Sequence, residues 1–524
     1  MSIASFFGKR RPQAPQPADS GQSNRAWNIA SYLERHAARH ADRAAIRFEG
    51  RTITFAELNR DACRLAGALR KKGIGAGFRV AVYLPNIPEF LVAYYAIQKL
   101  GAVAVSINPM FKSEEVRYLV NDSGAVAIFT TADLAPNVPA DCQQLTFRFV
   151  AGEEAGADGW RPMSELLAQG SDSFESVGRG LDDPAALLYS SGTTGFPKGV
   201  ILTQRNIHTN IALCATCSDY RPNDRLACFL PLFHAYGQNY IMNASIMAGS
   251  TLVLMQRYVP GEVLTAVGTE RITHFFAVPA IFIALLATDL SAYDLSSIRY
   301  EMSAAATLPE EISRRWTERF GRRVFEGYGL TECSPFACYN DFHKHRFGSI
   351  GRALPGVEVM VVDDADKEVP YGTQGEILIR GDNVMLGYWN KPGETAQTLR
   401  GGWLHTGDIG RMDEEGYLYI SDRLKDMINV SGFKVWPAEV EGYLYKIEGI
   451  RETAVYGLPH PEKGEQVIAA VVLKEGAALT PDDIIAYCRE HIGAYKVPSR
   501  VDIVETLPKS PTGKLLKRIL RERG

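Results

Sequence analysis

The chain has 524 residues, too many for one compact core, and 46% of them are apolar, enough for large buried interiors. Its formal net charge of −3 supplies no positive field to draw nucleic acid, so anionic nucleotides would have to be held by local groups. Its eight cysteines are scattered without a repeating framework, which fits a reducing, cytoplasmic compartment rather than a disulfide scaffold.

Residues 1–24 are rich in Pro, Gln, Ser and Ala and lack the apolar stretch of a secretory signal, so a flexible tail is expected. No apolar run reaches the roughly 18 residues that would predict a membrane span. From Trp27 onward the pattern is α/β. VAVYL (80–84), AVAVSI (102–107) and AVAIF (125–129) read as buried strands. Between them, residues 88–100 carry apolar side chains at helical spacing, and Ser113 opens a helix with Glu114 and Glu115 in its first turn. Strands alternating with helices predict parallel or mixed sheets covered by helices.

The same grammar returns with TLVLM (251–255) and HFFAV (274–278). Cys214 and Cys217 have CxxC spacing, but they fall in an apolar, helix-like run with no second pair, so buried, inert thiols are expected. Around residues 351–420, short strands with Gly turns such as GEILIR (375–380) predict a β-rich subdomain. A charged stretch at 422–425 then precedes a new α+β pattern. The expected division is a tail (1–24), a large domain (25–422) and a small C-terminal domain (423–524).

Several segments carry chemistry. YSSGTTGFPKGV (189–200) sets hydroxyls, glycines and one lysine between apolar runs, a composition that curls backbone N–H groups around an anion. Ser190, Ser191, Gly192, Thr193, Thr194, Gly195 and Lys198 suit the β- and γ-phosphates of a nucleotide, although Pro197 and Gly199 around the lysine exclude a Walker A loop. In EGYGLTE (326–332), Tyr328 can stack on a base, Thr331 can bond a phosphate and Glu332 can hold Mg²⁺. In WLHTGD (403–408), Asp408 can accept from ribose hydroxyls. In LPKSPTGK (507–514), Lys514 sits on a Gly-containing turn that can swing into a site built elsewhere and neutralise developing charge.

In this order, these segments and SDRLKD (421–426) resemble the adenylate-forming superfamily of acyl-CoA synthetases, peptide-synthetase adenylation domains and luciferases, from about Trp27 to Arg521. The resemblance implies an AMP-binding large domain and a mobile C-terminal lid hinged near Lys425. It implies a triphosphate held by residues 190–198, with Thr194 and Glu332 at Mg²⁺. The adenine would lie among Ala304, Ala305, Ala306, Glu326, Gly327, Tyr328 and Gly329, with Thr331 at phosphate and Asp408, Ile420 and Arg423 about the ribose. Lys514, Glu332, Thr194 and His234 would be the catalytic residues. After the lid rotates, Ser431, Gly432, Phe433 and Lys434 would face coenzyme A.

Within the superfamily the chain looks most like a fatty acyl-CoA synthetase. LPLFHAYGQNYIMN (230–243) resembles the segment that opens the acyl pocket there, with His234 as its gate. Tyr236, Gly237, Gln238, Met242, Val278, Ala304 and Gly329 are the expected pocket residues, and the absence of Arg from 230–243 argues against a diacid. The expected reaction turns a fatty acid, ATP and coenzyme A into acyl-CoA, AMP and pyrophosphate. The alternatives are a ligase for an aromatic or other acid, an enzyme that loads a carrier protein, and an inactive scaffold, which the presence of Lys514, Glu332 and Asp408 disfavours. The family's Gly is Ala304 here, Gln204 stands where many members carry His, and Asn429 stands where several carry Lys. Relatives include dimers, and no interface is readable from this sequence.

Overall fold

The computed structural model describes residues 27–152, 159–190, 197–423, 426–431, 433–510, 513 and 515–523. The expected tail, residues 191–196, Lys425, Gly432 and Lys514 lie outside them.

The apolar runs form strands because they are buried on both faces. Val103–Ser106 is buried along its whole length, with Ala104 level with Val80 of Arg79–Tyr83 and with Ala186 of Pro184–Ser190, all parallel. These belong to an eight-stranded sheet that continues through the antiparallel hairpin of Pro184–Ser190 and Lys198–Thr203, joined in sequence by the glycine- and hydroxyl-rich segment, to the edge strand Gly387–Tyr388. A nine-stranded sheet carries Arg225–Cys228, His274–Ala277, Tyr300–Ser303 and Val324–Tyr328 as parallel neighbours. Helix Pro88–Lys99 is buried all round apart from Glu89 and packs into the large core shared by both sheets.

Helix Gln204–Cys217 starts from a reciprocal cap: Thr203 Oγ1 accepts from Asn206 N–H at 3.2 Å, and Asn206 Oδ1 accepts from Thr203 N–H at 2.9 Å. Gln204 at its first turn is buried and accepts from Ile29 N–H at 3.0 Å, which ties the start of the described chain to this helix. Cys214 and Cys217 are buried and free, and burial pushes both thiols up.

The expected β-rich region is a four-stranded antiparallel sheet of Glu358–Val362, Gly375–Arg380, Leu404–Met412 and Leu418–Arg423. Beyond it a five-stranded sheet, led by the long hairpin Ile450–His460 and Gly464–Leu473, has its own apolar cores on its two sides. The α/β body with a small α+β C-terminal unit is the fold class expected from the sequence. No described helix is long and apolar enough to cross a membrane.

One buried charge cluster stiffens the strand leading to the 304–306 stretch. Glu301, 2% exposed, accepts from Trp316 Nε1–H at 2.8 Å and from Arg322 Nε–H at 3.1 Å. Removing its carboxylate strands both donors, so Glu301→Ala is expected to destabilise the large domain by about 3 kcal/mol, with a smaller loss for Glu301→Gln. Denaturant titration followed by tryptophan fluorescence checks this, and a change below about 1 kcal/mol would contradict it.

Candidate active site

The described site residues include Ser190 and Tyr328 at the carboxyl ends of strands in the two large sheets, where α/β folds place ligands, and Asp408 and Arg423 paired across two strands of the small sheet. Glu332, in the short turn Thr331–Cys333 after Val324–Tyr328, is buried. Its Oε1 accepts from Ser190 Oγ–H and from Tyr388 Oη–H, each at 3.0 Å, and its carbonyl accepts from Met385 N–H at 2.8 Å. Ser190 thus comes from the end of one sheet and Glu332 from beyond the end of the other.

Beside this point, Lys198 pairs with Glu394 of helix Pro392–Thr398, and its ammonium lies 5.1 Å from the Tyr388 ring centre. Tyr388 and Glu394 went unnoticed in the sequence because neither falls in a glycine- or hydroxyl-rich segment.

A second constellation surrounds Asp408. Its Oδ2 accepts from Tyr328 Oη–H at 2.7 Å, and its Oδ1 lies 3.0 Å from Arg423 Nε. Tyr328 and Asp408 are both buried. Burial, and after it the anion alongside, push the Tyr328 phenol well above its usual range, while Asp408 favours the charged guanidinium of Arg423. Ile420 lies half-buried in the same strand as Arg423.

Glu326 is turned to another task. Its Oε1 accepts from Leu308 N–H at 3.1 Å, so it anchors the loop that follows 304–306, and burial lifts its carboxyl to about 8. Ala304 and Ala305 are half-buried and Ala306 is exposed. Ala305 holds a φ of 71°, a left-handed conformation that costs a non-glycine residue energy.

His234 is half-buried. Its Nδ1 accepts from Tyr236 N–H at 3.2 Å, so in the neutral ring the proton sits on Nε2. The following segment, Tyr236–Asn243, is a buried π-helix, a geometry over-represented at functional sites. Tyr236, Tyr240 and Phe276 make mutual ring contacts, with centres 5.3 Å (Tyr236–Tyr240), 5.5 Å (Tyr240–Phe276) and 6.4 Å (Tyr236–Phe276) apart, and Phe336 packs 4.9 Å from Tyr240. Met242 is fully buried beside them in the large core.

Three residues expected to line the acyl pocket also make close contacts within the fold. Gln238 is fully buried and donates to Ser106 Oγ at 2.6 Å and Leu232 O at 3.1 Å, which ties the π-helix to a central strand. Gly237 is needed because a Cβ there would stand 2.2 Å from Pro231 O, and at Gly329 a Cβ would stand 1.6 Å from Pro335 O. These glycines permit close backbone approaches.

Gly327 is likewise covered by the Met302 side chain. From the C-terminal unit, Gly513 lies against Val278, where a Cβ would come within 2.6 Å of Cγ2, so the turn next to position 514 reaches this crevice. Ser431, Phe433 and Lys434 are exposed in the same unit, and Ser431 has a φ of 52°.

The AMP-binding enzyme family matches residues 33–389, and the AMP-binding enzyme C-terminal domain matches residues 439–514. The chain belongs to the AMP-binding enzyme family. It is 36% identical over 529 residues to a long-chain-fatty-acid–CoA ligase of Bacillus subtilis, covering 94% of each chain. It is also 36% identical over 502 residues to a feruloyl-CoA synthase of an Amycolatopsis species, covering 95% of this chain and 99% of the other. Its fold matches that of an anthranilate CoA ligase in complex with anthranoyl-AMP with a TM-score of 0.91 at 30% identity, covering 95% of this chain and 98% of that one. The chain is an adenylate-forming acid–thiol ligase.

The Lys198–Glu394 pair yields a test. The two side chains are 17% and 37% exposed, and a pair this wet is worth at most about 1 kcal/mol. If Lys198 must leave Glu394 to meet a phosphate, Glu394→Gln lowers the KM for ATP by up to about fivefold. Steady-state kinetics over an ATP series checks it, and an unchanged or raised KM would refute the exchange.

Proposed function

We propose that the enzyme activates a compact, ring-bearing monocarboxylic acid as its acyl-adenylate and transfers the acyl group to coenzyme A. The carrying observation is the pair of junctions that bring distant motifs into one crevice, Ser190 with Glu332 and Tyr328 with Asp408 and Arg423.

In this reading the carboxylate oxygen attacks the α-phosphorus of ATP and pyrophosphate departs. The thiol sulfur of coenzyme A, giving up its proton, then attacks the acyl carbon, and AMP leaves. Residues 190–198 hold the triphosphate, with Lys198 as their point charge. Asp408 and Arg423 hold the ribose, and Tyr328 with residues 304–306 flanks the adenine. Thr194 and Glu332 would hold Mg²⁺, and a carboxylate beside hydroxyls, as Glu332 has in Ser190 and Tyr388, is the oxygen donor set that ion takes. Lys514 neutralises charge on the carboxylate and α-phosphate, and the position of Gly513 against Val278 supports that role. Rotation of the C-terminal unit about Lys425 then brings Ser431, Gly432, Phe433 and Lys434 to the thiol.

The choice of acid rests on the rings behind His234. The expectation from the sequence is a medium- or long-chain fatty acid, and a fatty-acid ligase among the relatives keeps that as the second reading. A long tail needs an apolar channel, since each buried CH₂ contributes about 0.8 kcal/mol. Here Tyr240 touches Tyr236, Phe276 and Phe336 at once, and Met302 covers Gly327. Such a wall favours a short planar acyl group that stacks on rings over a long tail.

Pyrophosphate release with ATP, Mg²⁺ and a panel of acids from acetate to palmitate plus benzoates and cinnamates, each with and without coenzyme A, tests the reading. Turnover that depends on coenzyme A and peaks on an aryl acid is expected. A peak at C8–C16 would return the assignment to a fatty acid, and turnover indifferent to coenzyme A would overturn the thiol-transfer step. Lys514→Ala is expected to cut adenylation at least ~10²-fold, and rates within a few-fold of the native enzyme would remove that residue from the mechanism.

A further inference from the structure

We infer that helix Ser113–Ser123 sets the phosphate loop from outside the site, with Tyr118 and Asp122 as positioning residues for the β- and γ-phosphates; this rests on the reading that residues 190–198 hold the triphosphate. The ends of that loop meet in the hairpin, where Ser190 is level with Lys198 and Tyr189 with Gly199. A glycine-rich segment gives up more conformational freedom than other chain when it orders around an anion. Contacts that fix its ends beforehand reduce that cost, which is the general advantage of preorganisation.

Both ends are tied to one helix. Tyr118 Oη–H donates to Pro197 O at 3.0 Å, at the end that leads into Lys198. Tyr189 Oη–H donates to Asp122 Oδ2 at 2.7 Å, at the end that leads into Ser190. Tyr118 and Asp122 are four residues apart, so they lie on one face of the helix, one turn from each other. Burial, and after it the Asp122 carboxylate, push the Tyr189 phenol well above its usual range, so it remains the donor. A phenylalanine at 118 would fill the same space without reaching the Pro197 carbonyl.

The helix is itself held still. Its Val116, Leu119 and Val120 are buried in an apolar core against which Tyr189 and Trp389 also pack. Arg79 fixes its carboxyl end, with Nε–H donating to Ser123 O at 2.7 Å and Nη2–H to Gly124 O at 3.0 Å. A further route runs through Asp122 O, which accepts from Trp389 Nε1–H at 2.9 Å, while Trp389 N–H donates to Gly199 O at 2.7 Å. The helix therefore reaches the strand of Lys198 twice, through Pro197 and through Gly199.

The chemistry separates this role from a general brace of the fold. Cutting a general brace disturbs every ligand of the crevice alike. Cutting a brace of the phosphate loop weakens ATP and pyrophosphate, which carry the β- and γ-phosphates, and leaves AMP alone.

The test compares the full chain with Tyr118→Phe, Asp122→Asn and Asp122→Ala, using ATP, Mg²⁺, coenzyme A and whichever acid of the panel turns over fastest. In Tyr118→Phe the KM for ATP is expected to rise ~3- to 10-fold, as for the loss of one hydrogen bond, with kcat within about twofold of native. In ATP–pyrophosphate exchange the KM for pyrophosphate should rise by a similar factor, while the inhibition constant of AMP against ATP stays within about twofold. Asp122→Asn keeps an acceptor for Tyr189 and should stay near native, whereas Asp122→Ala strands that phenol and should shift the same two constants. Tyr118→Phe removes a single hydroxyl, so it reads the tie whether or not Asp122→Ala folds. ATP and pyrophosphate constants that do not move in Tyr118→Phe, or an AMP constant that rises with them, would overturn the inference, as would an Asp122→Asn enzyme as impaired as Asp122→Ala. Lys198→Ala, measured alongside, keeps the two failures apart. If it raises both constants and Tyr118→Phe raises neither, the inference alone fails. If it too leaves both unchanged, the loop does not hold the β- and γ-phosphates, and the triphosphate reading falls with the inference.

Discussion

Asp408 is the charge on which the crevice depends. Its carboxylate is buried, so both oxygens need donors, and they take them from different parts of the chain: the Tyr328 phenol at the end of the nine-stranded sheet, and Arg423 at the last strand of the small sheet. A buried carboxylate that lost one of these would be left partly unpaired, which costs far more than the intact arrangement gains. Tyr328, Asp408 and Arg423 therefore hold one another in place. The same three residues are the expected contacts of the ribose and adenine, so a nucleotide meets groups whose positions are already fixed.

The fold was legible where burial writes itself into composition. The runs at 80–84, 102–107 and 274–278 are continuous and apolar because their strands lie inside sheets with both faces covered. The candidate site stood out for a different reason: glycines and hydroxyls in succession, the composition expected of a backbone that binds an anion, contrast with apolar surroundings. Partners that act across the chain leave no such mark. Glu394 pairs with Lys198 from nearly two hundred residues away, and Tyr388 reaches Glu332 from an edge strand. Nor does sequence show which way a polar residue turns. Gln238 stands beside the gate motif but donates to a strand, and Glu326 stands in the nucleotide motif but braces a loop. The π-helix left no trace either, since all its residues are buried and no one-sided apolar spacing marks its i→i+5 turn.

The contacts between the two units bear on the lid motion proposed above. Each unit has its own apolar cores, and Tyr445 is the described buried apolar residue of the C-terminal unit that joins the large one. Across the junction the described contacts are otherwise largely polar. Asp422 Oδ2 accepts from Ala438 N–H at 2.9 Å and lies 3.8 Å from Lys517 Nζ, and Arg315 donates to Tyr445 O at 3.3 Å. Apolar interfaces resist opening because separation returns their area to water, whereas hydrogen bonds and ion pairs exchange their partners for water at small net cost. Asp422 is the exception, since burial pushes its carboxyl up and Lys517 holds it down. Losing that lysine would leave an acid with reason to take up a proton, so Lys517, bonded also to Glu441 at 2.9 Å within its own unit, sets the cost of leaving the present arrangement. One buried charge contact and a rim of exchangeable ones is the kind of junction that the proposed rotation, with two half-reactions sharing one crevice, would need.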